Sequence, residues 1–209
     1  DVCSSDLEQK NVEKSLKRLY NNMYKKVSAC VYNYSKLARD MNGEWSMVLI
    51  NGRDLTVEEV IRVCRNDEEV KLTGEAEKNV QKARDYIEKK LAEKAVIYGL
   101  TTGFGKFSNV VISNEETEKL QRNLIISHTC SMGEAYPREQ VRAAMLLRCN
   151  ALARGNSGIR LSTLKTLIDM LNRGVHPIVP QKGSLGASGD LAPLSHIALG
   201  LIGEGKAEY

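Results

Sequence analysis

No apolar run in this 209-residue chain approaches the ~18 residues that a membrane-spanning helix needs, and the first residues are too polar for a secretory signal. A basic block is missing as well. The net charge of +4 is spread along the chain, so no nucleic acid partner is implied. There is no CxxC pair, and the five cysteines (Cys3, Cys30, Cys64, Cys130, Cys149) are odd in number and irregularly spaced. Neither a disulfide framework nor a zinc ribbon fits that spacing, and reduced thiols in a cytoplasmic protein are the simplest expectation. His128 and Cys130 have no carboxylate or histidine at useful ligand spacing, so no metal site is expected. What is present is ordinary for a globular protein. Hydrophobic residues make up 42% and charged residues 27%, over a length that allows one large domain or two small ones.

The chain opens at Asp1 without a methionine and stops at Tyr209 without a terminating signal. Residues 1–46 are polar and rich in Tyr, Lys and Asn, with a weak helical pattern of Leu16, Leu19, Tyr20, Met23 and Val27. At Met47 the text changes to MVLINGRDLT, and a catalytic module is expected over 47–209. Residues 1–46 then form an extension, an upstream fusion or a leader. An ordinary helical arm fits the same residues, and the two alternatives stay open.

From Met47 onward the punctuation is mainly helical. Met47–Ile50 reads as a short strand followed by a turn at Asn51-Gly52. Thr56 and Glu59 fit a capping box, with Leu55 and Val60 placed as its hydrophobic staple. A helix is expected over 75–96, with Val80, Ala83, Ile87 and Leu91 on one face. Ser113–Glu116 fits a second capping box, opening a helix through about Ser131. Pro137 is placed like a first-turn proline of a helix ending at Arg154-Gly155. The next helix ends at Arg173-Gly174 ahead of Pro177, and a last one runs from Leu191 to about Ile202, with Leu191, Leu194, Ala198 and Leu201 inward. The expected class is mainly α, with short strands and loops around an active site.

Two loops are more than punctuation: YGLTTGFGKFSN (98–109) and VPQKGSLGASGD (179–190). The first fails as a phosphate loop, because Leu100 stands where the leading glycine belongs. The second fails as a hydrolase elbow, because Asp190 follows Gly189 where a glycine is required. What remains is chemistry within Ala187-Ser188-Gly189 itself. The Gly189 amide nitrogen can attack the Ala187 carbonyl carbon and close a five-membered ring, expelling that carbonyl oxygen as water. A second water, carrying the Ser188 hydroxyl, leaves an exocyclic methylidene. Glycine suits the attacking position because it lacks a Cβ. The product is a methylidene-imidazolone (MIO), an electrophile that no ordinary side chain supplies. A helix starting near Asp190 and Pro193 would point its positive end at the ring.

These segments resemble the aromatic amino acid lyase family. ASGDLAPLSH (187–196) resembles its cofactor signature and YGLTTGFG (98–105) its catalytic tyrosine loop, while LQRNLIISH (120–128) and RGNSGIR (154–160) are similar too. The resemblance covers 47–209 and leaves 1–46 outside it. It implies MIO formed from Ala187, Ser188 and Gly189 with no external cofactor, and Tyr98 as the residue that removes the substrate's β-proton. A tyrosine does so at neutral pH only if its pKa falls well below ~10. The glycines at 99, 103 and 105 suggest a lid beside the site. Ser127-His128 is the pattern of histidine-specific members, so His128 is expected to bind substrate. His176 and His196 are read as structural. The implied reaction is loss of ammonia from L-histidine to give urocanate, in a homotetramer with shared active sites. Family members continue well beyond this point, so the chain is expected to be a front portion, inactive alone. A related lyase or aminomutase, or a non-catalytic helical fragment, are the alternatives.

Overall fold

A computed structural model describes residues 47–103, 114–184 and 191–209. The proposed extension over 1–46, the capping serine at 113 and the tripeptide 187–189 lie outside the described residues.

The described chain starts with a β–α–β unit. Strand β1 (Val48–Ile50) runs parallel to β2 (Val70–Leu72), and helix α1 (Val57–Asn66) connects them. The predicted capping box is present: the Thr56 side chain accepts from the Glu59 N–H, and the Glu59 carboxylate accepts from the Thr56 N–H. Helix α2 (Gly74–Ala92) ends short of residue 96, because Lys94 takes a left-handed conformation (φ 54°) and the Ala95 N–H returns to Lys90 O. Val80 is buried on its inner face while Ala83, Ile87 and Leu91 are half-buried.

Helix α3 (Asn114–His128) stops three residues before Ser131. Its last turn caps itself: Ser127 Oγ donates to Leu124 O, and Thr129 Oγ1 donates to Ile126 O. The freed chain becomes β3 (Met132–Ala135), antiparallel to β5 (Pro180–Lys182). Helix α4 (Arg138–Ala153) starts one residue later than expected. Pro137 stands at the N-cap, outside the first turn, and its carbonyl accepts from Gln140 and Val141. The helix gives way at Arg154-Gly155 as expected. Gly155 has φ +74°, and a Cβ there would lie 2.6 Å from the Asn79 backbone, so no other residue lets this loop press against α2.

Helix α5 (Leu161–Asn172) leads to β4 (His176–Pro177), which pairs with β6 (Ala207–Glu208). Helix α6 (Leu191–Leu201) lies between them in sequence. Its inward face is rotated from expectation: Ala192 and Ile197 are buried, whereas Leu191 is half exposed, because α6 packs on both α3 and β4.

The core lies where α1, α4 and α5 meet, around Val63, Met145, Leu146, Cys149, Leu164 and Leu171. Arg142 is inside it, 1% exposed. Its guanidinium donates to Val63 O (2.8 Å) and Leu171 O (2.9 Å), carbonyls in the last turns of α1 and α5, and pairs with Asp67 at 3.0 Å. One side chain therefore helps cap two helix C-termini, alone at Val63 O and alongside the Gly174 N–H at Leu171 O. Asn172 plays a similar part for β2, exchanging two 2.9 Å bonds with the Val70 backbone.

Candidate active site

Tyr98 occupies the turn after α2, and its side chain is 65% exposed. The turn is shaped by two buried threonines. Thr101 Oγ1 accepts from the Ile97 N–H (2.8 Å) and donates to Ala95 O (3.0 Å). Thr102 Oγ1 accepts from the Gly99 N–H (3.2 Å) and donates to Gly103 O (3.0 Å). Hydroxyl groups in such positions satisfy backbone groups that no helix or strand would. Of the proposed lid, residues 98–103 are thus tied down by hydrogen bonds, while Gly105 lies outside the described residues.

Helix α3 connects this turn to the other elements. Gln121 Nε2 donates to Gly99 O (3.3 Å), joining α3 to the residue after Tyr98. Two turns further on, roughly 10 Å along the axis, stands His128. Its Nδ1 is 2.8 Å from Leu124 O. A carbonyl oxygen only accepts, so Nδ1 carries a proton, and in the neutral tautomer this selects Nε2 is the acceptor. Ser127 lies beside it, with Oγ 3.1 Å from Nδ1. The capping bonds that end α3 therefore also orient the imidazole.

The flanks of the 185–190 segment return to α3 and to the strand that follows it. On the leading side, β5 pairs with β3, the strand that follows α3, and Gly183 presses on Ser131. A Cβ at Gly183 would stand 2.7 Å from Ser131 Cα, a closeness that glycine alone permits. Ser131 Oγ is buried there without a hydrogen-bond partner among the described residues. On the trailing side, α6 begins at Leu191 and packs against α3. Arg122 clasps Glu204, just past α6, through bonds of 2.6 and 3.0 Å. Three stretches far apart in sequence are thereby gathered on one helix.

The remaining histidines are elsewhere. His176 is buried, its Nε2 accepts from Arg138 Nε (3.2 Å), and burial followed by the nearby arginines lowers its pKa. His196, on α6, has a buried Nε2 with no partner among the described residues, and burial lowers its pKa too. Burial pushes the Cys64 thiol up to about 11 and Cys149 to about 12, which makes both unreactive as nucleophiles.

The family model for the aromatic amino acid lyases matches residues 55–209. The chain belongs to the aromatic amino acid lyase family. It is 58% identical over 162 residues to a histidine ammonia-lyase of Alkaliphilus oremlandii, covering 78% of this chain and 32% of that protein. Among solved structures it resembles an ergothionase, an ergothioneine-degrading enzyme, from Treponema denticola (TM-score 0.74, 36% identity, 78% of this chain and 33% of that one). It also resembles the histidine ammonia-lyase of Trypanosoma cruzi (TM-score 0.70, 36% identity, 78% of this chain and 30% of that one). The chain thus spans about a third of the length of the curated relatives it matches. Its mainly helical build is that of the lyase family. Thr101, Thr102 and Gln121 shape this candidate site, and residue patterns alone pass over them. Their signal was faint: a Thr pair beside glycines, and a glutamine inside LQRNLIISH.

Proposed function

We propose that this lyase eliminates ammonia from L-histidine to give urocanate, using an MIO built from Ala187, Ser188 and Gly189 and no external cofactor. The observation that carries this is the gathering of the Tyr98 turn, Ser127-His128 and both flanks of 187–189 on α3 and the strand that follows it. The 58% identity to a histidine ammonia-lyase supports the choice of substrate. The surroundings suit the group. The tripeptide's flanks are anchored by close packing at Gly183 and by the helix that starts at Leu191, and Ser131 Oγ, against Gly183, has no partner among the described residues. Once formed, MIO supplies the electrophile that engages the substrate amine.

The chain's own groups do the rest. The exposed phenol of Tyr98 takes the β-proton, presented by a turn that Thr101 and Thr102 hold in shape. His128 Nε2 accepts a hydrogen bond from the substrate's imidazole N–H or ammonium group. A leucine there would leave that group unpaired, which is how histidine is told from phenylalanine. The α6 N-terminus, which begins two residues after Gly189, would favour negative charge on the group once it is formed. The working form is a cytoplasmic homotetramer, and this stretch alone is inactive because further substrate-binding groups lie outside it. A lyase or aminomutase for another aromatic amino acid would use the same electrophile and tyrosine, and Ser127-His128 argues against it.

The test uses the complete enzyme. Mass spectrometry of the active protein should find the peptide holding 187–189 lighter by two waters, and Ser188→Ala should abolish urocanate formation with melting unchanged. An active enzyme with the unmodified tripeptide mass would overturn the mechanism.

A further inference from the structure

We infer that Gln121 is a positioning residue that acts through Tyr98, holding the tyrosine turn at a set distance from His128. The inference rests on the reading of Tyr98 as the base. Tyr98 is 65% exposed and is carried by the backbone of residues 97–99. The two threonine hydroxyls bond to backbone within the turn itself and so set its shape. Gln121 ties that turn to α3, because its amide donates to Gly99 O from a helix 22 residues along the chain. The same helix carries His128 seven residues on, with the ring locked to Leu124 O. Proton removal and substrate reading are therefore spaced by one rigid rod, tied to the tyrosine turn by a side-chain amide.

Removing that amide should let the turn shift relative to α3 while its internal bonds survive. A base displaced by an ångström loses rate steeply, whereas groups that only bind substrate are little affected. In the complete enzyme, Gln121→Leu should lower kcat by roughly 10- to 100-fold and move KM by no more than about threefold. Gln121→Glu keeps the shape but offers a carboxylate that cannot donate to Gly99 O, and it should behave the same way. It serves as the second variant where leucine impairs folding. Melting temperature and the two-water mass loss over 187–189 should match the parent enzyme in the variant analysed.

A double-substitution cycle separates the explanations. If Gln121 acts through Tyr98, Gln121→Leu or Gln121→Glu should cost no more than about a further threefold in kcat once Tyr98→Phe is present. Full multiplication of the two losses would overturn the inference and leave Tyr98 as the base. So would an undiminished kcat in both Gln121 variants. Tyr98→Phe is itself expected to lower kcat at least ~100-fold. If it does not, the base reading fails first, and this inference fails with it.

Discussion

The corner where α1, α4 and α5 meet and the corner organised by α3 are held together by different means. In the first, Val63, Met145, Leu146, Cys149, Leu164 and Leu171 are buried, and even a charge inside, Arg142, is consumed in capping two helices. In the second, no described side chain of α3 is fully buried, and Ile126 is 39% exposed. Its order comes from directed bonds: Gln121 to Gly99, Arg122 to Glu204, and the Ser127, His128 and Thr129 side chains on the helix's own last carbonyls. Packing makes a frame that resists change. Directed polar ties aim groups at a reaction and contribute little to global stability, and functional segments are drawn from that less stable end. Members of this family act on different substrates, and a site aimed by a few bonds can be retuned without rebuilding the core.

The largest effects should therefore fall on the packed corner. Arg142→Ala leaves Val63 O without its partner in a dry interior and strips one of the donors from Leu171 O, and a loss of about 3–5 kcal/mol is expected. Leu146→Ala should cost about 2–5 kcal/mol through lost burial and the cavity left behind. Leu124→Ala, on half-buried α3, should cost less than about 1.5 kcal/mol. Urea unfolding followed by helical circular dichroism measures all three. A loss for Leu124→Ala as large as that for Leu146→Ala would break the contrast between the corners.

A smaller effect, in a different observable, is expected at His128. Replacing it with leucine should shift the ratio of kcat/KM for histidine over phenylalanine by about 1–3 kcal/mol toward phenylalanine. The Leu124 carbonyl keeps its bond from Ser127, so the helix end should survive and melting should hardly change. A fall in both substrates together, with lower melting, would instead make His128 a packing residue. An unchanged ratio would place specificity elsewhere in the enzyme.

How much of this could be read from residues follows the same division. The capping box at Thr56, the ends of α4 and α5 at their glycines, and the short strand at Met47–Ile50 depend on neighbours in sequence, and all were legible. The strands β2 to β6 span two to four residues each, too short for any alternation, and they form because distant segments meet. The face of α6 was misjudged at Leu191 because α6 serves two neighbours, so no single apolar stripe describes it. Arg142 looks like an ordinary surface charge in the text, and only the meeting of two helix ends makes it a core residue. The proposed chemistry was suggested by Tyr98, His128 and Ala187-Ser188-Gly189 because those residue types are rare in such company. Nothing suggested Gln121, because its tie to Gly99 is a hydrogen bond to backbone, which leaves no pattern.

The smallest expected effect probes the rim of the packed corner through pH. His176 Nε2 accepts from Arg138 Nε, and Arg138 and Arg142 both pair with Asp67. Glu208 stands 3.9 Å away on β6 and is the weaker influence. Burial first, then the two arginines, lowers the His176 pKa below 6.5 in the folded chain. A depressed pKa means that the folded state favours the neutral ring. The stabilisation is therefore complete above the unfolded value near 6.5, and it is lost as pH falls through the lower folded value. Protonation would cancel the acceptor that Arg138 uses and set a third positive charge beside Arg138 and Arg142. The parent chain should thus lose urea resistance between pH 7.5 and pH 5 more steeply than His176→Gln, whose amide oxygen still accepts from Arg138 but does not titrate. Carboxylates and the other histidines contribute equally to both curves and cancel in the difference. Parallel curves would show that His176 is uncoupled from the arginine cluster. The packed corner would then end at Arg142 and not reach β4.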